Sequence, residues 1–215
     1  MPAMSSSEAL EWVQRVVVLP AGSNAVLLEL GGGPSPAALA HQLRSSLNGL
    51  VEAVPGHDTL LLQWQAGRLG EAELRSVLAT AAKGAVEQQG VDAIEIQIVY
   101  DGEDLAAVAK ATGHSVAEVI DLHSSAEYEA AFCGFAPGFA YLVGLPPELH
   151  LPRRSNPRTR VPRGSVAIAG EYSGVYPGVS PGGWHLLGTT RLRLFDPSSD
   201  APALINPGAK VRFVK

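Results

Sequence analysis

The chain has 215 residues, of which 46% are apolar and 17% charged, and its formal net charge is −5. A chain of this length and composition can bury a core without disulfides or a structural metal, which excludes a disordered protein. The single cysteine, Cys133, excludes an internal disulfide framework, and no apolar run approaches the roughly 18 residues of a membrane span.

Charge and backbone-breaking residues divide the chain into two parts. Residues 1–133 carry six basic and 17 acidic side chains, whereas residues 134–215 carry ten basic and four acidic ones. The last 82 residues also hold 22 of the 39 glycines and prolines. We therefore predict two differently built domains, residues 1–92 and residues 93–215. Residues 1–10 lack the apolar stretch of a secretory signal, so we expect a cytoplasmic protein.

The first part has the pattern of a mixed α and β domain. Short apolar runs separated by turn residues predict strands at 16–19, 26–30, 51–54, 59–64 and 94–98. Ser35 and Pro36 form a helix start, and leucines follow at helical spacing to Leu50. A second apolar stripe predicts a helix over residues 70–89.

Two short helices are expected after Gly102, the second opened by a capping box of Ser115 and Glu118. Helical periodicity then ends near Phe132. Glycines and prolines alternate with short apolar stretches, which is typical of a β-barrel or sandwich with long ordered loops. The predicted strands are 166–169, 186–187, 192–195 and 211–214.

Several common catalytic motifs are excluded. Residues 178–182 match G-x-S-x-G, but Pro181 follows the serine and has no N–H to donate to an oxyanion, so this segment is interpreted as a loop. No P-loop sequence is present. The six histidines show no metal-ligand spacing, and we predict no metal site.

Five arginines lie between Arg153 and Arg163, with no acidic residue between Glu148 and Glu171. One interpretation is a solvated basic face, on which we place Arg154. The interleaved prolines favour a second interpretation, an ordered site for a carboxylate or phosphate, because they restrict the backbone that carries the guanidinium groups. Nucleic acid is disfavoured by the acidic net charge and by the absence of an aromatic ladder.

A glycine-rich polar loop follows at residues 171–185. Such a loop is often shaped to approach a ligand closely. We predict a small-anion site between the Arg158–Arg160 segment and this loop, closed on one side by the loop from Gly134 to Phe139. The predicted substrate-binding residues are Phe139, Arg158, Arg160, Ser173, Tyr176, Ser180, Trp184 and His185. No catalytic residue is identified.

Several segments of the chain resemble one known family, the 5-oxoprolinase B-subunit family, also called KipI or allophanate hydrolase subunit 1, which has a carboxyltransferase-type domain. The segments that carry the resemblance are 132–142 (FCGFAPGFAYL), 144–146 (GLP), 157–158 (PR), 161–162 (VP), 164–170 (GSVAIAG), 176–177 (YP), 180–184 (SPGGW) and 194–196 (LFD).

The resemblance implies an α+β N-terminal domain followed by a mainly β, cyclophilin-like barrel domain. It implies one component of a larger complex, inactive alone, that acts with a KipA-like C subunit and an oxoprolinase A subunit to open 5-oxoproline to L-glutamate with ATP. ATP would then be bound by the complex, on this chain or on another component. Two alternatives share the fold: a KipI-like inhibitor of a sensor histidine kinase, and a component of an amide or urea carboxylase-hydrolase system.

Overall fold

The computed structural model describes residues 4–85 and 92–215. The chain divides into two compact units, Met1–Val91 and Asp92–Lys215. Among the described residues, no helix has the length and apolar character needed to cross a membrane.

The first unit packs three helices against a four-stranded antiparallel sheet. The elements are α1 Ser6–Arg15, β1 Val17–Pro20, β2 Ala25–Glu29, α2 Pro36–Ser46, β3 Leu50–Pro55, β4 Thr59–Trp64 and α3 Glu71–Gly84. The strand order is β1-β2-β4-β3. The alternating burial of β4 leaves Leu60, Leu62 and Trp64 on the buried face, as expected for a sheet covered on one side.

The second unit is built on a seven-stranded sheet and a separate two-stranded ribbon. The elements are β5 Ile94–Gln97, α4 Leu105–Thr112, α5 Val116–Ser125, β6 Tyr128–Cys133, β7 Ala140–Val143, a 3-10 turn Pro147–Leu149, β8 Arg158–Val161, β9 Ser165–Ala169, β10 Tyr172–Val175, β11 Ser180–Gly182, β12 His185–Thr189 and β13 Lys210–Val214. The strand order of the large sheet is β12-β9-β10-β7-β6-β13-β5, and β8 pairs with β11 in the ribbon. An antiparallel bridge between Val99 and Thr189 joins the two edges of the large sheet.

The central strand β9 separates two cores because neighbouring side chains point to opposite faces of a sheet. Val166 and Ile168 join the larger core, which α4 and α5 also enter. Ala167 and Ala169 pack instead with aromatic side chains on the other face. Any functional residue on β9 or β10 therefore belongs to one of these two faces.

The mixed α and β class is confirmed, and most helix starts and apolar strands lie where the sequence predicts them. Ser35 accepts from the N–H of Ala38, and Ser115 and Glu118 form both halves of the capping box. The prediction of a strand at 192–195 is wrong. Of these residues only Phe195 pairs, in an isolated bridge with Ala203. The helix predicted over 70–89 ends at Gly84, and its residues 86–89 lie outside the described residues.

Five strands and one helix lie where the sequence predicts no such element. Helix α1 lies in a polar segment for which no helix is predicted, although Ser5 and Glu8 form a capping box there. Strands β8, β10 and β11 contain arginine, glycine or proline and lie in the arginine segment and the glycine-rich loop, and no strand is predicted at β6 or β7 either. The cyclophilin-like character of the second unit stays a prediction.

Candidate functional site

Seven aromatic rings cluster on the face of the second unit that β9 presents through Ala167 and Ala169. Phe139 lies among them, with ring centroids 5.1 Å from Tyr141, 5.3 Å from Trp184 and 5.6 Å from Tyr176. These edge-to-face contacts are the geometry that aromatic pairs prefer. The aromatic cluster consists of Phe132, Phe135, Phe139, Tyr141, Tyr172, Tyr176 and Trp184.

Tyr176 is held in this cluster by its ring and by its hydroxyl. Its side chain is buried, the hydroxyl hydrogen-bonds to the backbone of Trp184, and burial raises the pKa of the phenol. Gly182 must lack a side chain because a Cβ there would lie 2.2 Å from the Tyr176 oxygen. The glycine-rich loop thus closes directly over the tyrosine.

One buried carboxylate organises the arginines beside the cluster. Asp104, the N-cap residue of α4, accepts from Arg154 Nη1 at 2.7 Å and from Arg158 Nη2 at 2.8 Å through Oδ1. Its Oδ2 accepts from the backbone N–H of Leu186 at 2.8 Å. Glu103 adds a second carboxylate to Arg158 at 2.6 Å. Asp104 therefore ties the arginine segment to strand β12.

The surroundings of Asp104 favour its ionised form. Burial alone would raise the pKa of its carboxyl, but the hydrogen bonds from Arg158 and Leu186 and the nearby arginine charges together lower it. Among the described residues, Arg154 Nε and Arg158 Nη1 are buried without a hydrogen-bond partner. The arginines are therefore only partly satisfied by the protein.

The structure corrects one expectation about the arginines. Arg154 does not belong to a solvated face, because its side chain is two-thirds buried and paired with Asp104. The signal missed in the sequence is a carboxylate 50 residues away. Nothing in the local spacing of Arg153–Arg163 indicates that partner.

The structure brings several of the predicted site residues together. Phe139, Tyr176 and Trp184 share the aromatic cluster, and Ser180 lies opposite Val161 where β11 pairs with β8. The Ser180 hydroxyl is buried and, within the described part of the chain, has no hydrogen-bond partner. Two further predicted residues, Arg158 and Arg160, lie on β8, the first paired with carboxylates and the second exposed.

Ser173 does not join them, because β10 turns its side chain into the other core. It is wholly buried and lies 2.9 Å from His123 Nε2, while Tyr100 OH lies 2.9 Å from His123 Nδ1. The position gives Ser173 no exposed atom with which to orient a substrate. Burial lowers the pKa of His123 to about 3, so this histidine is neutral. Sequence reasoning missed His123 because a lone histidine on a helix has no recognisable motif.

His185 stands apart from the aromatic rings. Its Nε2–H donates to the carbonyl of Pro152 at 2.9 Å, which places the imidazole against the arginine segment. Across residues 4–85 and 92–215, no group of three His, Cys, Asp or Glu side chains could hold a metal ion. The chemistry that the site offers is therefore hydrogen-bond donation and positive charge beside an aromatic surface.

Comparison with known proteins places these features in a family. The model of the carboxyltransferase domain, subdomain C and D, matches residues 16–205. The chain is 44% identical over 206 residues to the 5-oxoprolinase B subunit of Escherichia coli O157:H7, covering 90% of this chain and 93% of that protein.

Two longer proteins contain a similar region. The crystal structure of TTHA0988 superposes with a TM-score of 0.76 at 39% identity, covering 89% of this chain and 40% of that chain. Urea amidolyase of Saccharomyces cerevisiae is 25% identical over 99% of this chain and 14% of its own length. The same module therefore occurs alone and within larger polypeptides.

Proposed function

The chain belongs to the 5-oxoprolinase B-subunit family, and from that membership we propose that it is the B subunit of an ATP-dependent complex that opens 5-oxoproline to L-glutamate. The observation that carries the proposal is the 44% identity to a 5-oxoprolinase B subunit over 93% of its length. The coarser statement, a component of an amide hydrolase system, agrees with the more distant likeness to urea amidolyase.

The reaction needs positive charge and hydrogen-bond donors. A lactam is an unreactive amide, and ATP supplies the phosphoryl group that activates its carbonyl oxygen. The contribution of this chain would be to hold oxyanions through its arginine segment, where Arg153 is exposed and the Arg154 side chain is about one-third exposed. No P-loop occurs in the sequence, so ATP would be bound by other means here or by another component of the complex.

We further propose that the partners are a KipA-like C subunit and an oxoprolinase A subunit, and that the complex is cytoplasmic and needs this chain to work. The exposed part of the aromatic cluster supports a protein partner. Phe135 is 60% exposed although it is a large apolar side chain. Exposed aromatic side chains are enriched where proteins associate.

The direct test is ADP release from ATP in the reconstituted complex when 5-oxoproline is added. We expect ADP release to depend on 5-oxoproline and to be low with this chain alone. Release stimulated by urea, with no response to 5-oxoproline, would instead favour the second candidate, a component of a urea or amide carboxylase-hydrolase system. ADP release that responds to neither compound would contradict both candidates.

A further inference from the structure

A cleft of about 490 Å³ lies in the second unit beside the last turn of α4. This volume is within the range of small-molecule sites. Five of its eight lining residues are polar and none is acidic. The polar lining residues are Arg153, Arg154, Ser155, Asn156 and His185.

The cleft wall is fixed by hydrogen bonds to the strands behind it. The backbone N–H of Arg154 donates to the carbonyl of Gly183 at 2.8 Å, and His185 donates to the carbonyl of Pro152. On the other side of the segment, the N–H of Gly170 donates to the carbonyl of Leu151 at 2.7 Å. The polar side chains of the cleft are thus mounted on an ordered backbone, which lowers the entropy cost of binding.

The charge of the cleft is positive. Asp104 is shared between two guanidinium groups, and Glu103 pairs with Arg158 and not with the arginines of the cleft. The Arg154 side chain keeps about a third of its surface exposed, and Arg153 is exposed. A guanidinium presents paired N–H donors that match the two oxygens of a carboxylate or phosphate.

We propose that this cleft binds a small molecule through one oxyanion, a carboxylate or a phosphate group. Arg153 contacts the anion directly, Arg154 contributes positive charge from its partly exposed side chain, and Asn156 and Ser155 donate further hydrogen bonds. Naming the carboxylate as that of 5-oxoproline rests on the proposed function, whereas the oxyanion site does not.

Isothermal titration of the purified 215-residue chain tests the site with three probes: 5-oxoproline, inorganic phosphate and 2-pyrrolidone, the same lactam without a carboxylate. We expect 5-oxoproline to bind and 2-pyrrolidone to bind at least about tenfold more weakly. Arg153→Gln should weaken 5-oxoproline binding by about one decade. Arg163→Gln is the matched control, since it removes the same charge from an exposed arginine of the same segment that does not line the cleft.

The outcomes separate the cleft from the proposed function. Binding of phosphate but not of 5-oxoproline, abolished by Arg153→Gln, supports the oxyanion site and removes its link to 5-oxoproline. Equal weakening by Arg153→Gln and Arg163→Gln, or equal binding of 2-pyrrolidone, would overturn the site because only general charge or the lactam ring would matter. Absence of binding by both anions would also overturn it, whatever the complex does with ATP.

Discussion

Asp104 is the residue on which the arginine segment depends. A neutral side chain there would leave Arg154 and Arg158 without their shared counter-charge. We expect Asp104→Asn to lower the free energy of unfolding by about 2 kcal/mol, because hydrogen bonds to charged groups are stronger than neutral ones and both arginines are only partly exposed. Urea unfolding at neutral pH measures this loss.

The matched control for Asp104 is Glu95, whose ion pair with Arg212 is more than half exposed on both sides. Glu95→Gln should change stability by less than about 0.5 kcal/mol. The pKa of Asp104 lies below its ordinary value of 3.8, so its contribution is present above pH 3.8 and fades as the pH falls below it. Equal effects of the two variants at neutral pH would contradict the assigned role of Asp104.

His123 is a second group that makes the free energy of unfolding depend on pH. Its pKa is lowered from 6.5 to about 3 by burial, so between these values the unfolded chain binds a proton that the folded chain does not. The stability that neutral His123 contributes is therefore fully present above pH 6.5 and is lost progressively as the pH falls from 6.5 toward 3. Between pH 7 and pH 5 we expect the wild type to lose about 2 kcal/mol more than His123→Gln. Urea unfolding at both pH values decides this, and parallel losses in the two proteins would show that His123 does not titrate as described.

Phe135 has a strained backbone conformation and an exposed apolar side chain, both of which are unfavourable for folding. Among the described residues it is the only non-glycine residue with a positive φ, at 68°, and 60% of it is exposed. Backbone strain of this kind clusters at active sites and ligand-binding segments. We expect Phe135→Ser to weaken binding of a partner protein of the complex at least about tenfold while stability changes by less than about 1 kcal/mol.

The control for Phe135 is Val116→Ser, which removes an exposed apolar side chain from α5. Binding measured by titration with the purified partner should be unaffected by that variant. If Phe135→Ser binds the partner as the wild type does, the exposed ring serves another purpose.

At the scale of elements, the turn before α4 packs closely against strand β12. A Cβ at Gly102 would lie 2.3 Å from the carbonyl oxygen of Leu186 and equally close to Leu187. Because these are backbone atoms, the turn or β12 must move. Gly102→Ala should lower the free energy of unfolding by about 1–3 kcal/mol. Gly178→Ala, with no atom within 4 Å of its added Cβ, should be nearly neutral, and equal melting temperatures of the two variants would contradict the close approach.

The elements also show which features a sequence can predict. Helix starts at Ser35 and Ser115 depend on contacts within four residues, and both are confirmed. Strands β8 and β11 exist because they pair with each other across a long loop, and their own residues favour turns. The apolar run at 192–195 has strand composition but only the Phe195–Ala203 bridge to another segment. Whether these segments form strands therefore depends on pairing with distant residues and not on their local sequence.

The same reasoning applies to the candidate site. Phe139, Tyr176 and Trp184 could be predicted as neighbours because they lie in glycine-rich segments that resemble a known family. The partner of Arg154 and Arg158 could not be predicted, since Asp104 is 50 and 54 residues away. The sheet face on which Ser173 lies could not be predicted either, because it depends on the register of β10 against β9.

At the scale of the whole molecule, the central claim is that this chain is a necessary component of a 5-oxoprolinase. The most direct measurement is L-glutamate formed from 5-oxoproline and ATP by the three purified proteins of the complex, compared with the same mixture lacking this chain. We predict glutamate formation matched by ADP release in the complete mixture, and none above background when this chain is omitted. Undiminished glutamate formation without this chain would contradict the claim.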